Sequence, residues 1–259
     1  MYPVLLEIGR FKLPSYGVVY LIAFLVGITV LAQYIARVSG RSFGEMFDVA
    51  FQTAIAGEIG AHLTFVVVEW ERVFGGQVSW WRLVLSGRVV LGGIITGILF
   101  LAWRVHRLRL PAVACLDGGV IGVALAMAIG RIGCLLSGCC YGAPTDAAWG
   151  IVFRDPQAAA WNGTPLHVPL HPTQILLFAV SLAVYFFLRF NFERRRFVGE
   201  TFSWFLLLQG LTRFAIEFLR DDPRGTSLGL ATSQWIGLAM AAYGVAWLVR
   251  GKTGRCGSI

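Results

Sequence analysis

The sequence predicts an all-α protein that crosses a bilayer about seven times. Hydrophobic residues fill 57% of its 259 positions and charged residues only 14%, far to the apolar side of a soluble chain. The mean hydropathy is +0.70. Apolar runs approaching the ~20 residues that cross a hydrocarbon core recur along most of the chain. A soluble fold of this length would need polar residues to cover its core, and they are missing.

The runs lie near 15–36, 48–68, 89–103, 112–129, 173–190, 201–219 and 232–249, the third being the shortest. The first follows Lys12 and Pro14, is long, and has no small-residue cleavage site, so it is expected to stay in the mature protein. Helices are required because backbone groups in lipid must be bonded within their own segment or in a closed barrel. None of the runs alternates as barrel strands do. Small residues four apart, Gly93/Gly97, Gly118/Gly122 and Ala126/Gly130, would let helices approach closely. The longest polar stretch, 142–170, joins the fourth and fifth runs as an extracytoplasmic loop. With no linker, repeat or low-complexity tract, one transmembrane domain over 1–259 is expected.

Counted on alternate sides of the runs, the basic residues divide twelve to nine, with Arg213 left inside a helix. The margin favours an extracytoplasmic N-terminus and a cytoplasmic C-terminus. The net charge of +8 needs no nucleic acid to explain it, because the basic clusters at 104–109 and 193–196 sit beside spans, as cytoplasmic anchors do.

The informative residues are those that resist burial in lipid. Arg213, Glu217 and Arg220 lie at i, i+4 and i+7 in the sixth span and should share one helix face, extended a turn by Gln209. They read either as an ion pair that orders the bundle or as a site for an anion, since arginine forks match phosphate oxygens. A second constellation is GRIGCLLSGCCYG, 130–142, where the glycines suit a helix break and Arg131 stands at the start. The third is HPTQ, with Pro172 suited to a first helical turn and His171 beside it, as a cap or as a proton-transfer group. Glu58 is a further intramembrane charge, with Arg88 as a candidate partner. Cys134, Cys139 and Cys140 cluster on the outer side, apart from Cys115 and Cys256. They read as small residues in a tight turn, as a redox-active pair, or as metal ligands with His171. The spacing lacks the paired C-x-x-C form of common zinc sites, so no metal and no cofactor are expected.

Tyr16-Gly17 opening the first span, the GRIG block closing on Tyr141-Gly142, HPTQ at 171–174 and RFAIEFLRDDP from Arg213 together resemble the prolipoprotein diacylglyceryl transferase family. Order and spacing agree along nearly the whole chain. The resemblance implies a multi-pass enzyme of the bacterial cytoplasmic (inner) membrane. It would move the diacylglyceryl group of phosphatidylglycerol to the lipobox cysteine beside a prolipoprotein signal peptide, releasing glycerol phosphate among the membrane lipids. It also implies roles. Arg131 and Arg213 would hold the phosphate and stabilise charge on the leaving group. With Leu91 standing where the family's expected base would be, His171 and His62 are the candidates to generate the thiolate, His171 being preferred for its outer position. Tyr16, Ser137, Gln174, Glu217 and Arg220 would bind and orient substrate.

The chain departs from the family pattern at identifiable positions. Leu91 precedes Gly92-Gly93 where a histidine is common. Cys134, Ser137 and Cys139 replace two asparagines and a glutamate, and Leu176-Leu177 replace Tyr-Glu after HPTQ. Those changes leave room for a non-catalytic lipid-binding relative. A small-anion transporter would also bury arginines, but transporters are typically built from paired repeats, which this sequence lacks.

Overall fold

A computed structural model describes residues 2–9, 11–75, 89–220, 226–227 and 229–253. Arg88, the candidate partner of Glu58, lies outside the described residues, as do Arg10, Arg82, Arg224, Arg255, Cys256 and the DDP of the RFAIEFLRDDP stretch. The chain is mostly helical. A hairpin of β1 (Val4–Ile8) and β2 (Phe11–Pro14) leads into α1 (Ser15–Ser39), α2 (Phe43–Val68), the short α3 (Trp70–Phe74), α4 (Val90–Arg107) and α5 (Ala112–Ser137). The polar loop then carries β3 (Ile151–Val152), α6 (Pro156–Asn162) and β4 (Pro169–Leu170). After it come α7 (Thr173–Arg194), α8 (Glu200–Ile216), a 3₁₀ turn (Glu217–Leu219), the hairpin β5 (Thr226–Ser227) and β6 (Leu230–Ala231), and α9 (Thr232–Lys252).

Among the described residues five helices are long and apolar enough to cross a membrane: Ser15–Ser39, Phe43–Val68, Ala112–Ser137, Thr173–Arg194 and Glu200–Leu219. The third and seventh expected runs form α4 and α9, which are not among those five. The residues divide into two compact units, Met1–Leu31 with Leu116–Ile259, and Ala32–Cys115.

The smaller unit is held by α2 against α4. Glycines set that distance: a Cβ added at Gly93 would lie 2.9 Å from the Gly57 carbonyl oxygen. The Thr64 hydroxyl turns back on the Gly60 carbonyl at 2.8 Å and that of Thr96 on Gly92 at 2.8 Å, so both are satisfied within their own helices. Ala32, Met46 and Val49 form the core of this unit. Glu58 pairs with His62 one turn on, Oε1 to Nδ1 3.8 Å.

In the larger unit α1 meets α5 at Gly27, where a Cβ would come within 2.7 Å of the Ala126 methyl. α8 meets α9 at Gly237, where one would sit 2.7 Å from the Gly210 carbonyl. The pairs expected from small-residue spacing divide accordingly. Gly93, Gly122 and Ala126 lie at such contacts, whereas Gly130 has nothing within 4 Å of where its Cβ would be.

Asp117, which the sequence reading passed over, is fully buried in α5. Its carboxylate accepts hydrogen bonds from the backbone N–H of Gly199 (2.7 Å) and Phe202 (2.8 Å), with Arg195 Nε 3.9 Å away. The N-cap of α8 is Gly199, at φ 97° and with no side chain, so the cap for its first turn comes from another helix. Asp117→Ala would leave those donors buried and unpaired. It is expected to cost about 3–5 kcal/mol, read as a lower midpoint for thermal unfolding in detergent.

One boundary corrects the sequence reading. The fourth span does not break near Ile129 but continues through Arg131 to Ser137. Gly133 stays helical because α1 packs on it, its absent Cβ facing Val19 and Tyr16 at 3.3–3.4 Å. The chain turns only at Gly138, whose φ of 79° is the left-handed conformation that ends helices.

Candidate active site

The site grows from the end of α5. Arg131 and Cys134 occupy its last two turns, Ser137 its last residue, and Gly138-Cys139-Cys140 a tight knuckle beyond it. Four successive backbone carbonyls there are each clamped by a different side chain. Asn162 Nδ2 donates to Ser137 O (2.8 Å), Thr164 Oγ1 to Gly138 O (2.9 Å), Gln174 Nε2 to Cys139 O (2.8 Å) and Thr173 Oγ1 to Cys140 O (2.6 Å). Backbone carbonyls that leave a helix inside the protein must find such partners. Gln174→Leu would strip one clamp and leave Cys139 O unpaired. A loss of about 1–3 kcal/mol in unfolding free energy is expected, measurable by denaturation in mild detergent.

Next to the knuckle three segments are knitted together through the backbone. Gly142 N–H donates to His171 O (3.1 Å), His171 N–H to Ala143 O (2.9 Å), and Ala143 N–H to Leu219 O (2.8 Å). The GRIG block, HPTQ and the end of the arginine stretch, far apart in sequence, thus meet at Gly142-Ala143. His171 precedes the N-cap of α7, which is Pro172, so the proline stands one position earlier than the first helical turn expected for it. The indole Nε1 of Trp149 donates to His171 Nδ1 at 3.4 Å. The indole N–H makes Nδ1 the accepting nitrogen of the ring.

The expected arginine stripe is shorter than i, i+4, i+7 spacing implies. Arg213 Nη2 and Glu217 Oε2 stand 3.6 Å apart. α8 then ends at Ile216 and tightens into the 3₁₀ turn, and Arg220 is extended at φ −113°, ψ 148°. Four residues past Leu219 stands Pro223, which has no N–H to continue a helix, and the Leu219 carbonyl accepts from Ala143 instead. The i, i+4, i+7 register is therefore broken before Arg220. Arg220 acts at the knuckle, because both Arg220 and Arg131 exert a Coulombic pull on the Cys140 thiol. Hydrogen bonds from the Cys134 and Cys139 thiols, and then those two guanidiniums, push the Cys140 pKa well below its ordinary value.

A cavity of about 470 Å³ lies between α1 and α5. Its walls are largely apolar, among them Ile28, Leu31, Val123 and Met127, and Arg131, Cys134, Cys140 and Tyr16 also line it. Tyr16 is half-exposed in the first turn of α1 and stacks on Tyr20, with ring centroids 6.1 Å apart. Arg131, Tyr16, Ser137, Gln174, Arg220 and His171 are thus brought to the knuckle, the cavity or the backbone junction beside them. Arg213 and Glu217 pair with each other and are not among the residues lining the cavity. His62 belongs to the other unit.

Sequence reasoning singled out the glycines of the 130–142 block and the HPTQ motif, but it missed Asn162 and Thr164 and gave Thr173 no part in holding the knuckle. Asn162 and Thr164 lie in the polar loop, whose retained hydrogen-bonding side chains were the available signal. Residues 3–250 match the family model described as prolipoprotein diacylglyceryl transferase. The chain is similar to phosphatidylglycerol–prolipoprotein diacylglyceryl transferase 2 of Clostridium perfringens, at 34% identity over 93% of this chain and 92% of the relative. The corresponding Clostridium tetani protein is 32% identical over 95% of this chain and 96% of its own length. A Dehalococcoides mccartyi relative of the same name is 29% identical over 95% and 92%. With the family model matching nearly the whole chain and relatives at 32–34% identity covered almost end to end, the chain belongs to the prolipoprotein diacylglyceryl transferase family.

Proposed function

We propose that this protein transfers the diacylglyceryl group of phosphatidylglycerol to the lipobox cysteine thiol of prolipoproteins, forming a thioether and releasing glycerol phosphate. The observation that carries the reading is a single guanidinium, Arg131, on the wall of an otherwise largely apolar cavity. That combination suits one phosphate with hydrocarbon attached and little else. The reaction breaks the bond between a glyceryl carbon and a phosphate oxygen, so charge develops on phosphate as sulfur attacks. Arg131 and Arg213 hold that phosphate, Arg220 supports them and Glu217 orients Arg213. Gln174 has spent its Nε2 on the knuckle, while its buried Oε1 has no hydrogen-bond partner among the described residues and is left to accept from a substrate donor such as a headgroup hydroxyl. Tyr16 and Ser137 complete the binding surface, and His171 accepts the thiol proton at Nδ1, the thiol taking the place of the Trp149 N–H there.

The reading includes seven spans, an extracytoplasmic N-terminus, a cytoplasmic C-terminus and residence in the bacterial inner membrane, which sets this site toward the outer leaflet. Five membrane-capable helices and the twelve-to-nine division of basic residues support it. The test is rescue of a bacterium depleted of its own transferase, scored by lipidation of a reporter prolipoprotein. Restored lipidation is expected. Good expression in the membrane without lipidation would refute the reading.

A further inference from the structure

The ligand-capable atoms of Cys134, Cys139 and Cys140 all lie within 4.8 Å of one another. Thiolates sharing one zinc ion at about 2.3 Å each stand roughly 3.8 Å apart, so small rotamer changes close the difference. Among the described residues the group is three sulfurs and nothing else. Three protein ligands with one open position is the arrangement of catalytic rather than structural zinc, and thiolates select zinc over hard cations.

Two further observations separate a ligand set from small residues filling a turn. Cys140 holds φ 59°, a left-handed backbone that glycine adopts freely and a Cβ-bearing residue does not. The turn therefore carries a thiol where the backbone alone favours glycine. The knuckle is also fixed as a metal site requires, with four consecutive carbonyls clamped and the Ser137 hydroxyl donating to Cys139 Sγ at 3.3 Å. Cys134 and Cys140 line the same cavity as Arg131, so an ion bound here would meet whatever the arginine holds.

We propose that Cys134, Cys139 and Cys140 bind one zinc ion whose open fourth position takes the acceptor cysteine as a thiolate. The inference deepens the transferase reading and, in its second half, rests on it. The acceptor thiol loses its proton on coordination, to His171 or water. Its sulfur lone pair then forms the bond to the glyceryl carbon. The carbon–oxygen pair departs with the phosphate, toward Arg131. The neutral thioether that results is a weak ligand and leaves the metal. Zinc undergoes no redox change, so no oxidant or reductant is needed.

The experiment uses the full chain in detergent micelles, stripped of metal and titrated with cobalt(II) as a spectroscopic stand-in. A sulfur-to-cobalt charge-transfer band of three-thiolate intensity is expected at about one ion per chain. A lipobox peptide should raise it by about a third, and the same peptide with serine for cysteine should not, because band intensity follows thiolate count. Cys134→Ser and Cys139→Ser should weaken affinity by more than the ~10–100-fold that losing an outer-shell partner costs, with Cys115→Ser as the unaffected control. Cys140→Gly guards against misfolding: it relieves the strained φ, so its metal-free form should melt no lower than metal-free wild type while its cobalt band is lost. No band in wild type, or a band that Cys140→Gly retains at full strength, overturns the site. A band unmoved by the cysteine peptide overturns the thiolate role. Full turnover by metal-free wild type also refutes the proposal and leaves the transferase reading standing. Zinc-loaded protein that responds to the peptide yet forms no thioether refutes the transferase reading and upholds the site.

Discussion

Arg131→Ala should lower turnover of phosphatidylglycerol and a lipobox peptide by about 10²–10³-fold, the usual consequence of removing one donor from a developing oxyanion. Folding should survive, because Arg131 lines a cavity rather than filling a core. Arg131→Lys should recover only part of the loss, since an ammonium keeps the charge but not the two-pronged fit to phosphate. Arg213→Ala needs a different design because Arg213 is already paired with Glu217. If Arg213 only neutralises that carboxylate, then removing both side chains should restore turnover, the buried charge having gone with its partner. If Arg213 holds phosphate, the double variant Arg213→Ala/Glu217→Ala stays as slow as the single one. The second result is expected. Recovery to near wild-type turnover would reduce Arg213 to a bundle-ordering role and leave Arg131 and Arg220 as the phosphate ligands.

What could be read from the sequence, and what could not, follows from the range of the forces involved. Membrane helices are visible because each is specified locally, by a run of apolar residues, so α1, α2, α7 and α8 begin or end within a few residues of where composition puts them. The end of α5 was misjudged because glycine is ambiguous. Gly133 is helical where a neighbouring helix crosses it and Gly138 is not, and only the packing distinguishes them. Arg220 was misplaced for a related reason. Periodicity assumes that the helix continues, whereas it tightens into a 3₁₀ turn at Glu217, ahead of Pro223, and the Leu219 carbonyl is taken by Ala143, about 75 residues earlier in the chain. Asp117 went unremarked because a single carboxylate in an apolar run looks like noise until its two N–H partners, more than 80 residues away, are known. The cysteine cluster shows the same limit from the other side. Its members straddle a helix end and a left-handed turn, so the approach of their sulfurs to within 4.8 Å is set by the fold and not by sequence spacing.

Gly142 shows how sharply the geometry can divide residues that look alike in sequence. A Cβ at Gly142 would lie 2.6 Å from the His171 Cβ, 2.6 Å from the Leu219 carbonyl oxygen and 2.8 Å from the His171 carbonyl oxygen. Two of those neighbours are backbone and cannot swing aside. Gly142→Val should therefore force the three segments apart and break the hydrogen bonds Gly142–His171, His171–Ala143 and Ala143–Leu219, at about 1 kcal/mol each before any strain is counted. A loss of roughly 3 kcal/mol or more is expected in detergent unfolding, with turnover falling further than stability alone explains, because His171 and Arg220 are both carried by the displaced segments. Gly130 is the counterpart at the other end of the same block. Nothing lies within 4 Å of its missing Cβ, and its backbone is helical, so Gly130→Ala should stabilise by about 0.5–1 kcal/mol through helix propensity. Because Gly130 also lines the cavity beside Arg131, the added methyl group should raise KM for the lipid while kcat stays close to wild type. Equal destabilisation by the two substitutions would mean that the backbone junction at Gly142-Ala143 does not hold the site together.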